Sequence, residues 1–239
     1  DAAWAGAGQV RTTKQVSGTG GAVATVRTLW RGQTLYVLAE VADPVVDVSG
    51  SDPWTQDSVE IYVDAGNYKN GSYRYDDTQI RINADNVVSF GTGDEGFQAN
   101  RLESAVVRTD TGYTVEAAIS LLEYGGLDTF HGLDFQVNDA SDGTRTAIRN
   151  WAEPVGTGYQ TTARWGVGRL VGPDSGNVKV NVRPTRWWDS ASGGGYCATL
   201  FAKNKTDQPL DWYAYVELDG EIYLDWGFER QIQDDGTYR

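Results

Sequence analysis

The run Pro53-Trp54-Thr55-Gln56-Asp57-Ser58-Val59-Glu60-Ile61-Tyr62-Val63-Asp64 decides the fold. From Ser58 it alternates, with Val59, Ile61 and Val63 on one side and Ser58, Glu60, Tyr62 and Asp64 on the other. A strand repeats every two residues, so the first set packs into a core and the second faces outward or lines a cleft. Pro53-Trp54 ahead of it reads as a loop that delivers an aromatic ring. Two further segments obey the same rule. Ile80 and Ile82 oppose Gln79, Arg81 and Asn83; Phe135 and Val137 oppose Asp134, Gln136 and Asn138. The plain reading of these polar rows is a solvated sheet face. Yet amides and charges held rigidly in rows are donors and acceptors suited to adjacent hydroxyls. With Trp54 beside them they read as a ligand face with an aromatic wall.

The rest of the chain continues in strands. Ala22–Trp30 and Leu35–Val41 flank Arg31-Gly32-Gln33 and form a hairpin. Short strands follow at 87–90, 104–108, 113–119, 134–138, 146–151 and 165–170, separated by Gly-, Asn- and Asp-rich turns. A helical turn is expected at 120–124, and no segment holds a helical period over three turns. Regular short strands of this kind argue for an all-β fold, an antiparallel β-sandwich resembling a jelly roll, over residues 1–172. Gly172-Pro173-Asp174-Ser175-Gly176-Asn177 is a composition break, and 173–177 reads as a linker. Strands restart over 178–239, where a second, smaller and incomplete β-sandwich is expected.

Composition narrows the function. The chain has 239 residues with nine Trp, thirteen Tyr, no Met and a net charge of −13. An acidic surface repels phosphate backbones, which argues against nucleic acid. No apolar run is long enough to cross a membrane. The carboxylates could hold calcium; Asp43, Asp57, Asp64 and Asp139 sit near loops, although none has EF-hand spacing. Cys197 is the only cysteine and does not establish the compartment.

In these residues the first unit resembles the family 9 carbohydrate-binding modules of bacterial xylanases and related plant-cell-wall hydrolases. The resemblance rests on Leu29-Trp30, Leu35 to Ala39, Asp43-Pro44, Pro53-Trp54, Gln56 to Glu60, Asp64, Lys69, Gln79-x-Arg81-x-Asn83, Gly112-Tyr113, Val115-Glu116, Gln136 to Ala140 and Trp151. It implies a calcium-binding β-sandwich that clamps a terminal sugar between two Trp rings. The stacking pair would be Trp54 and Trp151, with Glu60, Gln79, Arg81 and Asn83 reading hydroxyls and Lys69 as a further contact. The partners would be cello- or xylo-oligosaccharides, insoluble plant polysaccharide and an attached catalytic domain, in a secreted and monomeric protein. The second unit is similar to a family 2 carbohydrate-binding module in Trp188, Gly195-Tyr196-Cys197, Asn204, Trp212, Gly220, Tyr223 and Trp226. That similarity would put Trp188 and Trp226 on a flat binding surface.

Two rival functions fit the sequence less well. A glycoside hydrolase could use Glu60 with Asp57 or Asp64, but such enzymes need two carboxylates across the scissile bond with one pKa raised. An Arg on the same face would instead hold the carboxylates ionised. A haem domain is disfavoured by the lack of Met and by a single histidine, His131, in a turn-like Phe130-His131-Gly132. That histidine is expected at the surface or as a cap. Tyr62 is expected only to pack.

Overall fold

The alternating segments pair into two antiparallel sheets in the computed structural model, which describes residues 2–172, 178–188 and 194–204. The chain divides into two units, Asp1–Leu170 and Val171–Arg239. In the first, one sheet has the order β1 (Gly8–Arg11), β3 (Val23–Arg31), β4 (Thr34–Ala42), β9 (Gly112–Ser120), β8 (Leu102–Thr109). The other runs β2 (Lys14–Ser17), β11 (Thr144–Asn150), β10 (Phe130–Ser141), β5 (Ser58–Asp64), β6 (Asp77–Asn83), β7 (Val88–Phe90), with β12 (Gly166–Arg169) also paired to β10.

The apolar rows of both sheets meet in one core. Val26, Val37, Ala39, Val115 and Ile119 from the first sheet join Val59, Ile61, Ile80, Ile82, Phe135 and Val137 from the second. Burial on this scale contributes roughly 25 cal/mol per Å² of apolar surface, and it fixes register, because a one-residue slip would turn every apolar side chain outward. The expected hairpin forms, with Leu29 opposite Tyr36 and Trp30 opposite Leu35. Gly32 in its turn has φ 56°, a left-handed conformation that costs Gly little.

The short strands β1 and β2 and the α-helix Glu95–Ala99 escaped the sequence reading. That helix is held by its cap, as the Asp94 side chain accepts from the Phe97 amide. His131 departs from expectation. It is buried, with Nδ1 2.7 Å from the Ala65 carbonyl and Nε2 2.8 Å from the Thr129 hydroxyl. Its parity on β10 turns it to the core side, the side of Leu133 and Phe135. Burial lowers its pKa, so it stays neutral.

In the second unit, β13 (Val178–Trp188) pairs antiparallel with β14 (Gly195–Asn204). The Trp188 side chain and Trp226 lie outside the described residues, as do Trp212, Gly220 and Tyr223. Among the described residues no helix is long and apolar enough to cross a membrane.

Candidate functional site

The outer face of β10, β5 and β6 is built by register. Gln136 lies opposite Glu60, and Glu60 opposite Arg81. Asn138 lies opposite Ser58, Ser58 opposite Asn83, and Tyr62 opposite Gln79. Opposed residues share a face, so three distant segments converge on one carboxylate.

Glu60 is 1% exposed, and its two oxygens accept four hydrogen bonds. Oε1 takes Arg81 Nε at 2.9 Å and Asn138 Nδ2 at 2.7 Å. Oε2 takes the Tyr62 hydroxyl at 2.7 Å and Gln79 Nε2 at 2.6 Å. Burial alone would raise the Glu60 pKa, but the Arg81 charge and the donors outweigh it and hold the carboxyl below its usual value. An ionised carboxylate offers about four lone-pair positions, so Glu60 is saturated by its own neighbours. It orients the donors around it. Arg81 also donates from Nη1 to Ser89 Oγ at 3.1 Å and, among the described residues, leaves Nη2 uncommitted. Gln136 donates to Asn138, Asn83 donates to Gln56, and Arg145 reaches Asn138 Oδ1 at 3.4 Å. Gln79 lies so close to Gly91 that a Cβ there would sit 1.8 Å from its Oε1.

Tyr62 does more than pack. Its hydroxyl joins Glu60 to Gln136, and burial beside the Glu60 charge raises its pKa far above normal, so it remains a donor.

Trp54 lies in the single turn Pro53–Thr55 just ahead of Ser58 and is 46% exposed. Gln56, two residues on, is tied to Asn83 at 2.8 Å and to the Gly50 carbonyl at 2.7 Å, so the turn is anchored to the face. Trp151 is elsewhere. Its ring packs on Phe135 of the apolar row, centroids 5.8 Å apart, and joins the partly buried residues around the core. A Cβ on Gly166 would come within 2.6 Å of it. Asn150 lies opposite Gln136 on the polar face, and the Trp151 amide donates to the Phe135 carbonyl at 2.9 Å, so alternation turns Trp151 to the Phe135 side. Lys69 is also withdrawn from the polar rows: Nζ donates to the carbonyls of Trp165 at 2.7 Å and Gly166 at 2.8 Å.

Tyr159, which the sequence reading did not single out, is 57% exposed in the loop between β11 and β12. Glu153, fully buried, accepts from the amides of Val155, Gly156 and Thr157 and folds this loop back. Tyr73 donates to the Gly158 carbonyl at 2.6 Å, and a Cβ on Gly158 would lie 3.6 Å from the Tyr62 ring. The Trp165 ring packs on Tyr62 at a tilt of 51°, centroids 5.2 Å apart. The loop thus sits over the Tyr62 end of the face and Trp54 at the Ser58 end, about 13 Å apart along the strand. The only sequence signal was Gly156-Thr157-Gly158 ahead of an aromatic residue, which marks a tight loop tip.

The four metal-candidate aspartates fall into two clusters. Asp43, Asp57 and Asp139 bring carboxylate oxygens within 4.8 Å of one another, and Asp64 does so with Asp76 and Asp77 instead. In the first cluster Asp57 accepts from the Asp47 and Ala140 amides, Asp139 from the Ala22 amide, and Asp43 Oδ2 is buried without a partner. Burial and the neighbouring carboxylates Asp43 and Asp139 push Asp57 up to about 7. A surface cleft of about 340 Å³ opens on Asp43 and Asp139. In the second cluster Asp76 pairs with Arg74 at 3.0 Å, and Lys69 and Arg101 add further positive charge. Burial pushes Asp77 up to about 7 there.

Comparison with known proteins gives one consistent picture. A family profile described as carbohydrate family 9 binding domain-like matches residues 1–173. The exoglucanase XynX of Acetivibrio thermocellus is 41% identical over 186 residues, 76% of this chain and 17% of that protein. The endo-1,4-beta-xylanase A of Thermotoga neapolitana is 43% identical over 152 residues, 63% of this chain and 14% of that protein. This chain therefore spans less than a fifth of either relative's length. Among solved structures, a family 9 carbohydrate-binding module from Caldicellulosiruptor kristjanssonii in complex with cellotriose superposes with a TM-score of 0.68 at 32% identity, covering 73% of this chain and 89% of that one.

Proposed function

Because residues 1–173 belong to the carbohydrate family 9 binding domain-like family, we propose that this chain is a non-catalytic module that binds the end of a β-linked glucan or xylan. It would hold an attached plant-cell-wall hydrolase on its substrate. The observation that carries this reading is the Glu60-centred face with Trp54 exposed at one end of it. A pyranose presents C–H groups on its faces and hydroxyls around its edge, so rings take the faces and Arg81, Gln136 and Asn83 take the edge. The second ring of the slot is Tyr159 in place of Trp151. Solved family members are described in complex with cellotriose and with glucose, and the relatives are xylanases and an exoglucanase, which supports this ligand class. A disaccharide of about 23 heavy atoms at roughly −0.3 kcal/mol each gives about −7 kcal/mol, a Kd near 10 µM.

The binding reading is favoured over hydrolysis by the state of Glu60. A general acid must keep its proton near neutral pH, whereas Glu60 is held ionised and is bonded to Arg81, not to a second carboxylate. Asp57 and Asp64 are engaged in the two separate aspartate clusters.

Calcium is part of the proposal. Asp43, Asp57 and Asp139 fit it: three hard oxygen donors, one of them orphaned, with no cation among the groups that shift Asp43 or Asp57. The ion would neutralise the cluster and pin the segment entering β5, three residues from Trp54. Secretion and a monomeric state complete the reading.

Titration calorimetry with cellobiose and xylobiose, repeated after reduction of the sugar end to an alditol, tests the function. Binding that vanishes on reduction supports a slot that reads the chain end; persistence would mean an open cleft, and no heat with either sugar would sink the proposal. Trp54→Ala is expected to weaken binding at least about 10-fold with the fold retained, since one stacked ring carries roughly 0.5–1.5 kcal/mol beyond its area burial and the slot also loses its closure.

A further inference from the structure

A second group of rings lies at the other end of β5. The chain leaves the strand at Asp64 and returns at Asp77, and the intervening loop carries Tyr68, 49% exposed, and Tyr75, 55% exposed. Tyr124, from the single turn after β9, stands between them. Its ring meets Tyr68 edge to face, centroids 6.1 Å apart, and its hydroxyl lies 3.0 Å from that of Tyr75. The Arg74 guanidinium stacks on the Tyr68 ring at 3.6 Å, and the Tyr75 hydroxyl donates to Glu123. The row therefore has three phenols, one stacked guanidinium and one carboxylate. None of these residues belongs to the Glu60 face.

The loop does not present these rings loosely. Asp64 accepts from the Tyr68 and Lys69 amides at 2.9 and 2.8 Å, and Asp76 accepts from the Gly66 amide at 3.1 Å and from Arg74 Nε at 3.0 Å. Arg74 is thus neutralised from below while its plane supports Tyr68 from the side. Contiguous exposed rings rimmed by polar groups mark an interaction surface, whereas rings scattered singly do not. Arg74 pairs with Asp76, while Glu123 accepts from a phenol and keeps its charge, so the patch carries about one net negative charge on a chain of net charge −13. Such a surface would repel a phosphate. What fits is a neutral, polyhydroxylated, partly planar ligand: C–H faces on Tyr68 and Tyr75, hydroxyls on the phenols, Arg74 and Glu123.

We propose that Tyr68, Arg74, Tyr75 and Tyr124 form a second carbohydrate subsite, an open one that lies along the side of a β-linked glucan or xylan chain while the Glu60 slot holds a chain end. The inference rests on the polysaccharide reading of the slot. Two sites on one rigid unit convert capture of a second chain into an intramolecular step, so their joint effect appears on an insoluble surface and not with a disaccharide.

Three measurements test it. In a Trp54→Ala chain, which silences the slot, cellohexaose at millimolar concentration is expected to shift the ring resonances of Tyr68 and Tyr75. Rings that stay unmoved overturn the proposal. In the otherwise native chain, Tyr68→Ala with Tyr75→Ala is expected to leave cellobiose affinity unchanged and to lower affinity for insoluble glucan or xylan about 10-fold. An unchanged surface affinity, or a matching loss with cellobiose, overturns it. Tyr68→Trp, which enlarges the stacking ring without emptying the loop, is expected to strengthen surface binding severalfold; a weaker-binding Trp variant counts against it. If the native chain itself binds neither cellobiose nor insoluble polysaccharide, the slot reading falls and the second subsite with it.

Discussion

Glu60 and Asp57 lie three residues apart, both are buried, and their pKa values move in opposite directions. Glu60 is held below its usual value and Asp57 is pushed up to about 7. Burial opposes the charged form of both. The difference lies in what surrounds them: a guanidinium and three neutral donors at Glu60, two further carboxylates and two amides at Asp57. The first centre is complete in the chain itself. The second carries uncompensated negative charge and is complete only with a proton or a cation. A buried carboxylate is thus held ionised or driven toward its protonated form according to the sign of its neighbours.

The comparison breaks most visibly at Glu60. Glu60→Gln leaves Arg81 buried without its counter-ion, which is expected to cost about 3–5 kcal/mol. For a unit of this size that lowers Tm by roughly 10 °C, measurable by calorimetry. A variant as stable as the native chain would mean that the network does not organise the sheet.

Chelation sharpens the other half. The folded pKa of Asp57 lies above its unfolded value of 3.8. The folded form therefore binds the extra proton between about pH 4 and 7, and without metal stability falls as pH rises through that window. Calcium should offset the fall. At pH 7.5 a chelator is expected to lower Tm by about 5 °C, and at pH 4.5 to have no effect. Equal chelator effects at both values would remove Asp57 from the site.

Asp57→Asn then gives the opposite sign to Glu60→Gln. In chelator at pH 7.5 the variant is expected to match or exceed the native Tm, because it removes a repelled charge. With calcium present it should be the less stable of the two. The pH slope should flatten only in part, since Asp77 is also pushed up to about 7.

The smallest effects separate the two candidate second rings. Trp151→Ala is expected to lower stability by roughly 2 kcal/mol, through lost packing on Phe135, with cellobiose affinity retained. Tyr159→Ala is expected to weaken cellobiose binding about 10-fold at unchanged Tm. Calorimetry on both variants decides; the reverse pattern would restore Trp151 to the slot.

Much of this was legible from alternation. Val59, Ile61 and Val63 against Ser58, Glu60 and Tyr62 fixed which side of β5 faces the core, and the same reading of 79–83 and 134–138 supplied the other two rows. Where elements were missed, the signal was physically weak. β1 and β2 are four residues each with mostly exposed side chains, so no apolar period exists to detect. The Glu95–Ala99 helix is a little over one turn and is set by its Asp94 cap.

By itself, then, the sequence determined the layers, the polar face and the aromatic ring at Trp54, because period-two patterning is a local property of the chain. Tertiary structure alone decided three things: that Glu60, Arg81, Asn138 and Gln136 converge on one centre, that four aspartates divide into two clusters, and that the Trp151 ring packs on Phe135 while Tyr159 is exposed in the loop beside Tyr62. Each depends on strand register or on the path of a loop across the sheet. Register is set by the packing of the whole core, and the loop by buried Glu153 and Asp134, which hold its amides. Such contacts join residues tens of positions apart, and no local period carries them.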